Sequence, residues 1–247
     1  MKKLILVFML FGSTLFAQTI NIAVAANVSY AMEVLLDEFS KTNPDTDVKV
    51  TLGSSGKLTA QIKHGAPYEL FMSANMMFPE SLYSDEIAIT KPIVYAQGSL
   101  AYLSSSQKDF SKSMELLKDK AIGKIAIANP KTAPYGKAAV EAMKNSGVYE
   151  DIKSKLIYAE SISQTVSFAI TAADIGFIAK SSLYSPKMLH FKEGINWVDV
   201  DSELYTPINQ GIVILKGGEN EEVRAFYDFM LSDRAKKILK DFGYLVP

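Results

Sequence analysis

Hydrophobic residues along the chain alternate between short continuous runs and segments with helical spacing. Residues 19–25 form the first apolar run and predict a buried strand. Residues 30–41 follow with apolar positions spaced by three and four, which predicts an amphipathic helix. The same order returns at once, with a strand predicted at 48–52 and a helix at 57–63. Repetition of strand, turn and helix is typical of an α/β fold with a parallel sheet.

The pattern continues to the end of the chain and divides into two halves. The further predicted strands are 69–74, 93–96, 100–103, 124–128, 156–158, 174–179, 197–200 and 208–215. The further predicted helices are 114–118, 137–146, the segment from Ser161 through Ile170, 220–231 and 234–242. Because the strand–loop–helix unit repeats a second time between residues 121 and 179, we expect two lobes. The first comprises residues 18–97 and 207–247 and the second residues 98–206, so the chain crosses between them twice.

The turn at Gly53, Ser54 and Ser55 separates a predicted strand from a predicted helix and carries two hydroxyl side chains. Asn27 occupies the equivalent place after the first strand. Serine and asparagine are preferred N-cap residues, because their side chains accept a free N–H of the first helical turn. The free N–H groups and the dipole at a helix start also favour an anion. These residues therefore predict either simple helix caps or an anion site at the carboxyl ends of the strands, in a cleft between the lobes.

Composition restricts the chemistry of such a site. The chain has no cysteine, which excludes disulfides, thiolate metal ligands and a cysteine nucleophile. Its only histidines are His64 and His190, and its only arginines are Arg224 and Arg234, near the C-terminus. With a formal net charge of −1, nothing predicts nucleic acid or a membrane surface as a partner. Recognition of an anion by paired arginines has few candidates here, which favours neutral donors.

Two enzyme hypotheses fail on spacing. A hydrolase with Ser55 as nucleophile would need a base close to it, but the chain has no Gly-x-Ser-x-Gly turn, and His64 lies at the far end of the same helix. A phosphate-binding P-loop needs four residues between its glycines, whereas Gly53 and Gly56 have two between them. The sequence therefore predicts a protein that is not an enzyme.

The start of the chain has the pattern of a secretory signal peptide. Lys2 and Lys3 form the charged start, residues 4–11 the apolar segment and residues 14–17 the cleavage region. The apolar segment is too short to span a membrane, and no cysteine follows to carry a lipid anchor. We therefore expect residues 1–17 to be a signal peptide and the mature chain to reside in a bacterial periplasm.

Several motifs occur in the order found in one known family. They are Ala23–Asn27 with Ala31 and Met32, Gly53–Leu58, Gly65–Pro67 with Leu70–Ala74, Asn129 and Pro130 with Ala133–Ala139, Ala225–Phe229 with Ser232, and Lys240–Tyr244. Together they resemble the bacterial periplasmic molybdate-binding proteins, the substrate-binding subunits of the molybdate ABC transporter. The resemblance implies a type II two-lobed periplasmic binding protein fold, in which each lobe is a mostly parallel sheet flanked by helices and two hinge crossings join the lobes.

The same resemblance implies a function. It implies high-affinity binding of molybdate, and of tungstate, in the cleft between the lobes and delivery of the anion to the permease subunits in the inner membrane. The protein would act as a monomer without a cofactor. Molybdenum would enter only as the oxyanion, with no direct bond between protein and metal. A protein of the same fold for sulfate, phosphate or an organic anion stays an open alternative.

Carried over position by position, the resemblance implies four ligand residues. Asn27 and Ser55 would act at the first two helix starts, and Tyr135 and Ile162 would each donate a backbone N–H. Some members place a ligand tyrosine where this chain has Ala179. Either four contributors therefore suffice, or Tyr135 or Lys180 compensates for the missing tyrosine.

Overall fold

The computed structural model describes residues 18–247, which contain two five-stranded sheets flanked by helices. The predicted signal peptide, residues 1–17, lies outside the described residues. The strands are β1 (Gln18–Ala25), β2 (Thr46–Gly53), β3 (Leu70–Met72), β4 (Ile93–Gly98), β5 (Leu100–Leu103), β6 (Ile125–Ala128), β7 (Leu156–Ala159), β8 (Ile175–Ala179), β9 (Trp197–Asp199) and β10 (Ile208–Ile214). The helices are α1 (Ser29–Ser40), α2 (Ser55–Lys63), α3 (Met77–Ser84), α4 (Pro134–Asn145), α5 (Tyr149–Ile152), α6 (Ile162–Thr171), α7 (Glu221–Leu231) and α8 (Asp233–Asp241).

The two sheets have the same topology. Their strand orders are β2-β1-β3-β10-β4 and β7-β6-β8-β5-β9. In the first sheet β1 runs parallel to β2 and β3, and in the second β6 runs parallel to β7 and β8. One strand of each sheet, β10 or β5, is antiparallel to both of its neighbours. Four strands of each sheet therefore point the same way, and the predicted α/β fold with two mostly parallel sheets is confirmed.

The chain passes from one sheet to the other twice. Ser99 alone joins β4 of the first sheet to β5 of the second, and residues 200–207 join β9 of the second sheet to β10 of the first. The pairing of β10 with β4 shifts register between Gln210 and Gly211. An irregularity of this kind re-aims a side chain beside the crossing. We keep 97/98 and 206/207 as the proposed lobe boundaries.

Successive side chains of β1 point to opposite faces of the first sheet, and both faces are buried. Ile20, Ile22 and Val24 point into one cluster that includes Phe39 of α1 and Phe226 of α7, whose rings meet edge to face at 5.1 Å. Ala23 points the other way, into a second cluster with residues of β3, β10 and α2. Because successive strand side chains face opposite sides, a strand covered by helices on both faces reads as a continuous apolar run.

Several elements differ from the sequence prediction. Helix α2 begins at Ser55 rather than at residue 57, because only Ser54 keeps an extended backbone before it. Asn27 is not an N-cap: a 3-10 turn over Ala26–Val28 precedes α1, and the Asn27 amide bonds elsewhere. The predicted helix at 114–118 is part of a longer 3-10 segment, Phe110–Lys118, that is broken at Ser113.

Two short helices, α3 and α5, were not predicted at all. Pro79 sits in the first turn of α3, where a missing N–H costs no hydrogen bond, although proline reads as a helix breaker in the sequence. Helix α5 spans a single turn, which is too short to show a period. Across residues 18–247, none of the helices combines the length and the apolar character needed to cross a membrane.

Candidate functional site

Four helix starts meet where the two sheets face each other. In the first sheet, β1 leads into the turn Ala26–Val28 and β2 leads into α2; in the second, β6 leads through a short loop into α4, and β7 leads into α6. Each start follows the carboxyl end of a parallel strand. The first N–H groups of a helix have no partner within the helix and carry a partial positive charge. Their convergence therefore creates a region rich in hydrogen-bond donors without any charged side chain.

These helix starts enclose a cavity of about 10 Å³. Its lining residues are Ala25, Ala26, Asn27, Gly53, Ser54, Ser55, Ala74, Ala133, Pro134, Tyr135 and Ile162. Sites for drug-sized ligands occupy roughly 300–1,000 Å³, so this space is far too small for such a ligand and matches about one water-sized group. A larger groove of about 290 Å³ lies nearby, beside Met77 and Lys137, but none of the unpaired buried polar atoms described below belongs to it.

The structure brings all four sequence-predicted ligand residues to this one cavity. Asn27 and Ser55 come from the first lobe, and Tyr135 and Ile162 come from the second. Neither Ala179 nor Lys180 lines it. The role of each residue toward a ligand stays a prediction.

The Ser55 hydroxyl is held in a fixed position. Its Oγ accepts a hydrogen bond from the backbone N–H of Ala74 at 2.9 Å, and the residue is fully buried. A hydroxyl has one hydrogen to donate besides its two acceptor lone pairs. Since the bond to Ala74 uses a lone pair, the hydrogen of Ser55 stays available to an acceptor in the cavity.

Two buried side-chain polar atoms in the described part of the chain have no hydrogen-bond partner, and both belong to cavity residues. They are Asn27 Oδ1 and Ser54 Oγ. Buried polar groups are nearly always paired, so each exception calls for an explanation. Ser54 is 5% exposed, and its side chain does not cap α2. A ligand with an acceptor atom in the cavity would pair the Ser54 hydroxyl, whereas Asn27 Oδ1, itself an acceptor, would need a donor.

The sequence analysis placed Ser54 in the turn that predicts either a helix cap or an anion site, but did not include it among the four ligand residues. The sequence did carry a signal, because two adjacent hydroxyl residues stand at the end of one strand and a helix needs only one N-cap. Which of the two faces the cavity depends on where α2 begins. With the start at Ser55, both residues line it.

The Asn27 amide is anchored on the side away from its orphaned oxygen. Its Nδ2 donates to Gln210 Oε1 at 2.8 Å and to the Tyr244 hydroxyl at 3.0 Å. Its backbone carbonyl accepts from the hydroxyls of Tyr244, at 2.8 Å, and Ser181, at 3.1 Å. These bonds fix Nδ2 away from the cavity, so the side-chain atom that Asn27 leaves unpaired is an acceptor, and a donor toward an anion would have to come from its backbone N–H at the start of the 3-10 turn.

The cavity lining carries no side chain that is charged at neutral pH. Its one titratable group is the Tyr135 phenol, and burial raises the pKa of Tyr135 well above its usual range. At the cleft edge Lys57 of α2 forms an exposed ion pair with Glu160 of the opposite lobe. One backbone hydrogen bond also joins the lobes, from the N–H of Gly56 to the carbonyl of Thr132 at 2.8 Å.

Lys180 is engaged outside the cavity. Its Nζ lies 2.5 Å from Asp199 Oδ2 and 5.9 Å from the centre of the Trp197 ring. Burial on its own would lower the pKa of Lys180, but the hydrogen bond and the charge of Asp199 outweigh it and raise that pKa. The ammonium is therefore already paired. Within residues 18–247 there is also no group of three or more His, Asp or Glu side chains placed to hold a metal ion.

Known proteins share both the sequence and the fold of this chain. The family described as bacterial extracellular solute-binding protein matches residues 20–245. The molybdate-binding protein ModA of Azotobacter vinelandii is 36% identical over 92% of this chain and 90% of its own length. That of Rhodobacter capsulatus is 35% identical over 90% of this chain and 86% of its own. Among solved structures, the periplasmic molybdate-binding protein of Azotobacter vinelandii matches with a TM-score of 0.84 at 29% identity, covering 92% of this chain and 99% of that one.

Proposed function

The chain belongs to the family of bacterial extracellular solute-binding proteins, and on that premise we propose that it binds molybdate, and tungstate with it, in the cavity between the lobes. The relatives that are more than a third identical to it are named for molybdate binding. The observation that carries the proposal is structural. The unpaired Ser54 hydroxyl, which can donate, lies at a small cavity where four helix starts converge.

The proposed ligand set consists of neutral donors. Hydroxyls come from Ser54 and Ser55, and backbone N–H groups come from the helix starts at Asn27, Tyr135 and Ile162. A tetrahedral oxyanion has four oxygens, each able to accept several hydrogen bonds, so donors from both lobes are needed to satisfy it. The positive ends of the helix dipoles balance the negative charge in place of a lysine or arginine.

Size would provide the selectivity. Sulfate has shorter bonds to oxygen than molybdate, so a cage that fits molybdate leaves sulfate out of reach of some donors. Each buried donor left unpaired costs about 1–3 kcal/mol. Two such losses amount to roughly a hundredfold difference in dissociation constant, at about 1.4 kcal/mol per factor of ten.

We propose further that the protein works in the periplasm as a monomer, without catalysis or cofactor, and hands its anion to an ABC transporter permease. The family is one of solute-binding proteins rather than enzymes. No His, Asp or Glu is among the residues that line the cavity, so Ser55 has no general base beside it. The signal-peptide pattern of residues 1–17 supports export.

A thermal-shift screen of the mature chain tests this function. Molybdate, tungstate, sulfate, phosphate and small organic anions are added at equal concentration. A ligand at a thousandfold excess over its dissociation constant stabilises the folded state by about 4 kcal/mol. We expect large increases in melting temperature with molybdate and tungstate only. A response confined to phosphate or to an organic anion would contradict the proposal and favour the alternative ligand class.

Affinity for molybdate should not change with pH between about 6.5 and 9, because ordinary tyrosine titrates near 10 and burial raises the pKa of Tyr135 further. The phenol stays neutral in both folded and unfolded chains below about pH 9, so its contribution to stability is constant there and is lost as pH rises beyond the ordinary tyrosine pKa near 10. Calorimetric titration at several pH values measures this. Affinity that falls steadily as pH rises through this range would instead indicate a titrating cation at the anion.

Replacing Lys180 by alanine should change molybdate affinity by less than about 1 kcal/mol, the range for a partly screened ion pair. The Lys180 ammonium contacts Asp199 and does not line the cavity. Titration of Lys180→Ala at low and high salt measures the effect. A large loss of affinity that fades as salt is raised would show that a cation has taken the place of the missing tyrosine.

A further inference from the structure

Gln210 lies beside both crossings, and its side chain forms hydrogen bonds to cavity residues of both lobes. It is the third residue of β10, just after the second crossing, and it is fully buried. Its pairing partners lie in β4, which ends at the first crossing. Sequence analysis gave Gln210 no role, because nothing in the sequence near it shows which residues its amide meets.

Every polar atom of the Gln210 side chain has a partner. Its Oε1 accepts from Asn27 Nδ2 at 2.8 Å and from the Tyr95 hydroxyl at 2.9 Å, both in the first lobe. Its Nε2 donates to the Tyr135 hydroxyl, in the second lobe, at 3.2 Å. The amide thus connects two residues that line the cavity, one from each lobe.

Tyr135 has two groups that matter here, its backbone N–H and its side-chain hydroxyl. Its backbone N–H lies in the first turn of α4 at the cavity, where it has no intrahelical partner. Its ring reaches away from the cavity to the crossing, where the hydroxyl meets Gln210. The hydroxyl fits there because residue 98 has no side chain. A Cβ on Gly98 would lie 1.9 Å from the Tyr135 hydroxyl and 2.7 Å from Gln210 Nε2. Glycine at the end of β4 is what lets the tyrosine dock.

These contacts depend on the position of the second lobe. If the lobes separate, Tyr135 moves away with α4, whereas Asn27, Tyr95 and Gln210 stay with the first sheet. Separation therefore removes the Tyr135 N–H from the cavity and the Tyr135 hydroxyl from Gln210 at the same time. A ligand shifts such an equilibrium only through a difference in affinity for the two states.

We propose that Gln210 is a positioning residue that couples capture of the anion to closure of the lobes, by holding the Tyr135 hydroxyl against the first lobe and so keeping the Tyr135 N–H at the cavity. The inference rests on the proposed function for the identity of the anion. The coupling itself rests on the hydrogen bond between Gln210 and Tyr135, which crosses the lobes beside a second link from Ser181 to Asn27 and Tyr244.

The variant Tyr135→Phe tests the coupling with little other disturbance, because it keeps the ring and the backbone N–H and removes only the hydroxyl. The matched control is Tyr102→Phe, another buried tyrosine of the second lobe, whose hydroxyl contacts Met114 away from the cavity. Since the chain has no cysteine, paired spin labels can be placed at Thr51→Cys and Tyr158→Cys. These exposed residues lie on the edge strands of the two sheets, and their separation reports closure.

For Tyr135→Phe we expect a longer and broader interlobe distance without anion, and dissociation constants for molybdate and sulfate that both rise by about tenfold, as a smaller closed population requires. Their ratio should be unchanged, because no group that contacts the anion is lost. Gln210→Met should open the ligand-free protein in the same way. The Tyr102→Phe control should match the parent protein in both measurements.

Three results would overturn the inference. The first is a Tyr135→Phe variant whose anion affinity and interlobe distance equal those of the parent protein. The second is a Tyr135→Phe variant that has a lower melting temperature but unchanged affinity and interlobe distance. The third is a changed ratio of molybdate to sulfate affinity, which would place the hydroxyl on the anion. If the parent protein binds neither anion, the proposed function fails, and the distance distribution of the ligand-free variants still decides whether Gln210 and Tyr135 hold the lobes together.

Discussion

Replacing Ser55 by alanine should weaken molybdate binding by roughly ten- to a hundredfold, the equivalent of about 1.5–3 kcal/mol for a hydrogen bond to a charged group. The hydroxyl is already oriented by the Ala74 N–H, so no rotational freedom has to be lost when the anion binds. Its backbone N–H, at the first position of α2, is unaffected by the substitution. Isothermal titration of Ser55→Ala with molybdate measures the loss.

Two companion variants separate binding from folding. Ser55→Ala leaves the buried Ala74 N–H without its partner, so its ligand-free melting temperature should also fall. Ser54→Ala removes a hydroxyl that has no partner and caps nothing, so it should weaken binding, by less than Ser55→Ala, and leave ligand-free stability unchanged. Ser104→Ala, a buried serine of the second lobe outside the cavity, should bind as the parent does. Parent-like affinity in both Ser54→Ala and Ser55→Ala would contradict the neutral cage.

Replacing Gly136 by alanine should both destabilise the protein and weaken binding. A Cβ at this position would lie 2.0 Å from the carbonyl oxygen of Ala128, at the end of β6. The contact is with backbone, so the first turn of α4 has to move, and overpacking of this kind costs about 1–3 kcal/mol. The same shift displaces the Tyr135 N–H from the cavity, and we expect at least about a tenfold further loss of molybdate affinity, or 1.4 kcal/mol.

Gly123→Ala is the matched control for that substitution. Its Cβ would meet only Asp174 Oδ2, at the ordinary contact distance of 3.7 Å, and the position precedes β6, at the end of that strand opposite to the one that leads into α4. Chemical denaturation and calorimetric titration of both variants give stability and affinity separately. If Gly136→Ala folds and binds as Gly123→Ala does, the start of α4 does not set the position of a ligand donor.

Much of the architecture could be predicted because local patterns of apolar residues determine the strands and helices. The apolar runs of β1, β3 and β6 and the period of α1 identify buried strands and an amphipathic helix without any knowledge of the partners. The motifs shared with molybdate-binding proteins then indicated the two-lobed fold, and the family matches confirm that resemblance. Helix α3 escaped prediction because Pro79 in its first turn carries the same sequence signal as a helix stop.

The helix starts at Asn27 and Ser55 predicted part of the candidate site, and the resemblance to molybdate-binding proteins implied all four ligand residues, Tyr135 and Ile162 through it alone. Each of the four follows a strand, and the topology brings them together. The residues that hold them come from elsewhere in the chain: Gln210 lies 183 positions from Asn27, and Tyr244 lies 217. Such partners are set by packing of the whole fold, and no local pattern marks them. The misreading of Asn27 as a helix cap has the same origin, because its amide is taken up by these distant groups.

The central claim is that neutral donors at the meeting helix starts select a large tetrahedral oxyanion. Competitive isothermal titration of the mature chain with molybdate and sulfate tests it most directly. The account predicts one molybdate per chain and binding at least about a hundredfold tighter than that of sulfate, the result of two donors that sulfate cannot reach. Equal affinity for the two anions, or no binding of molybdate, would contradict it.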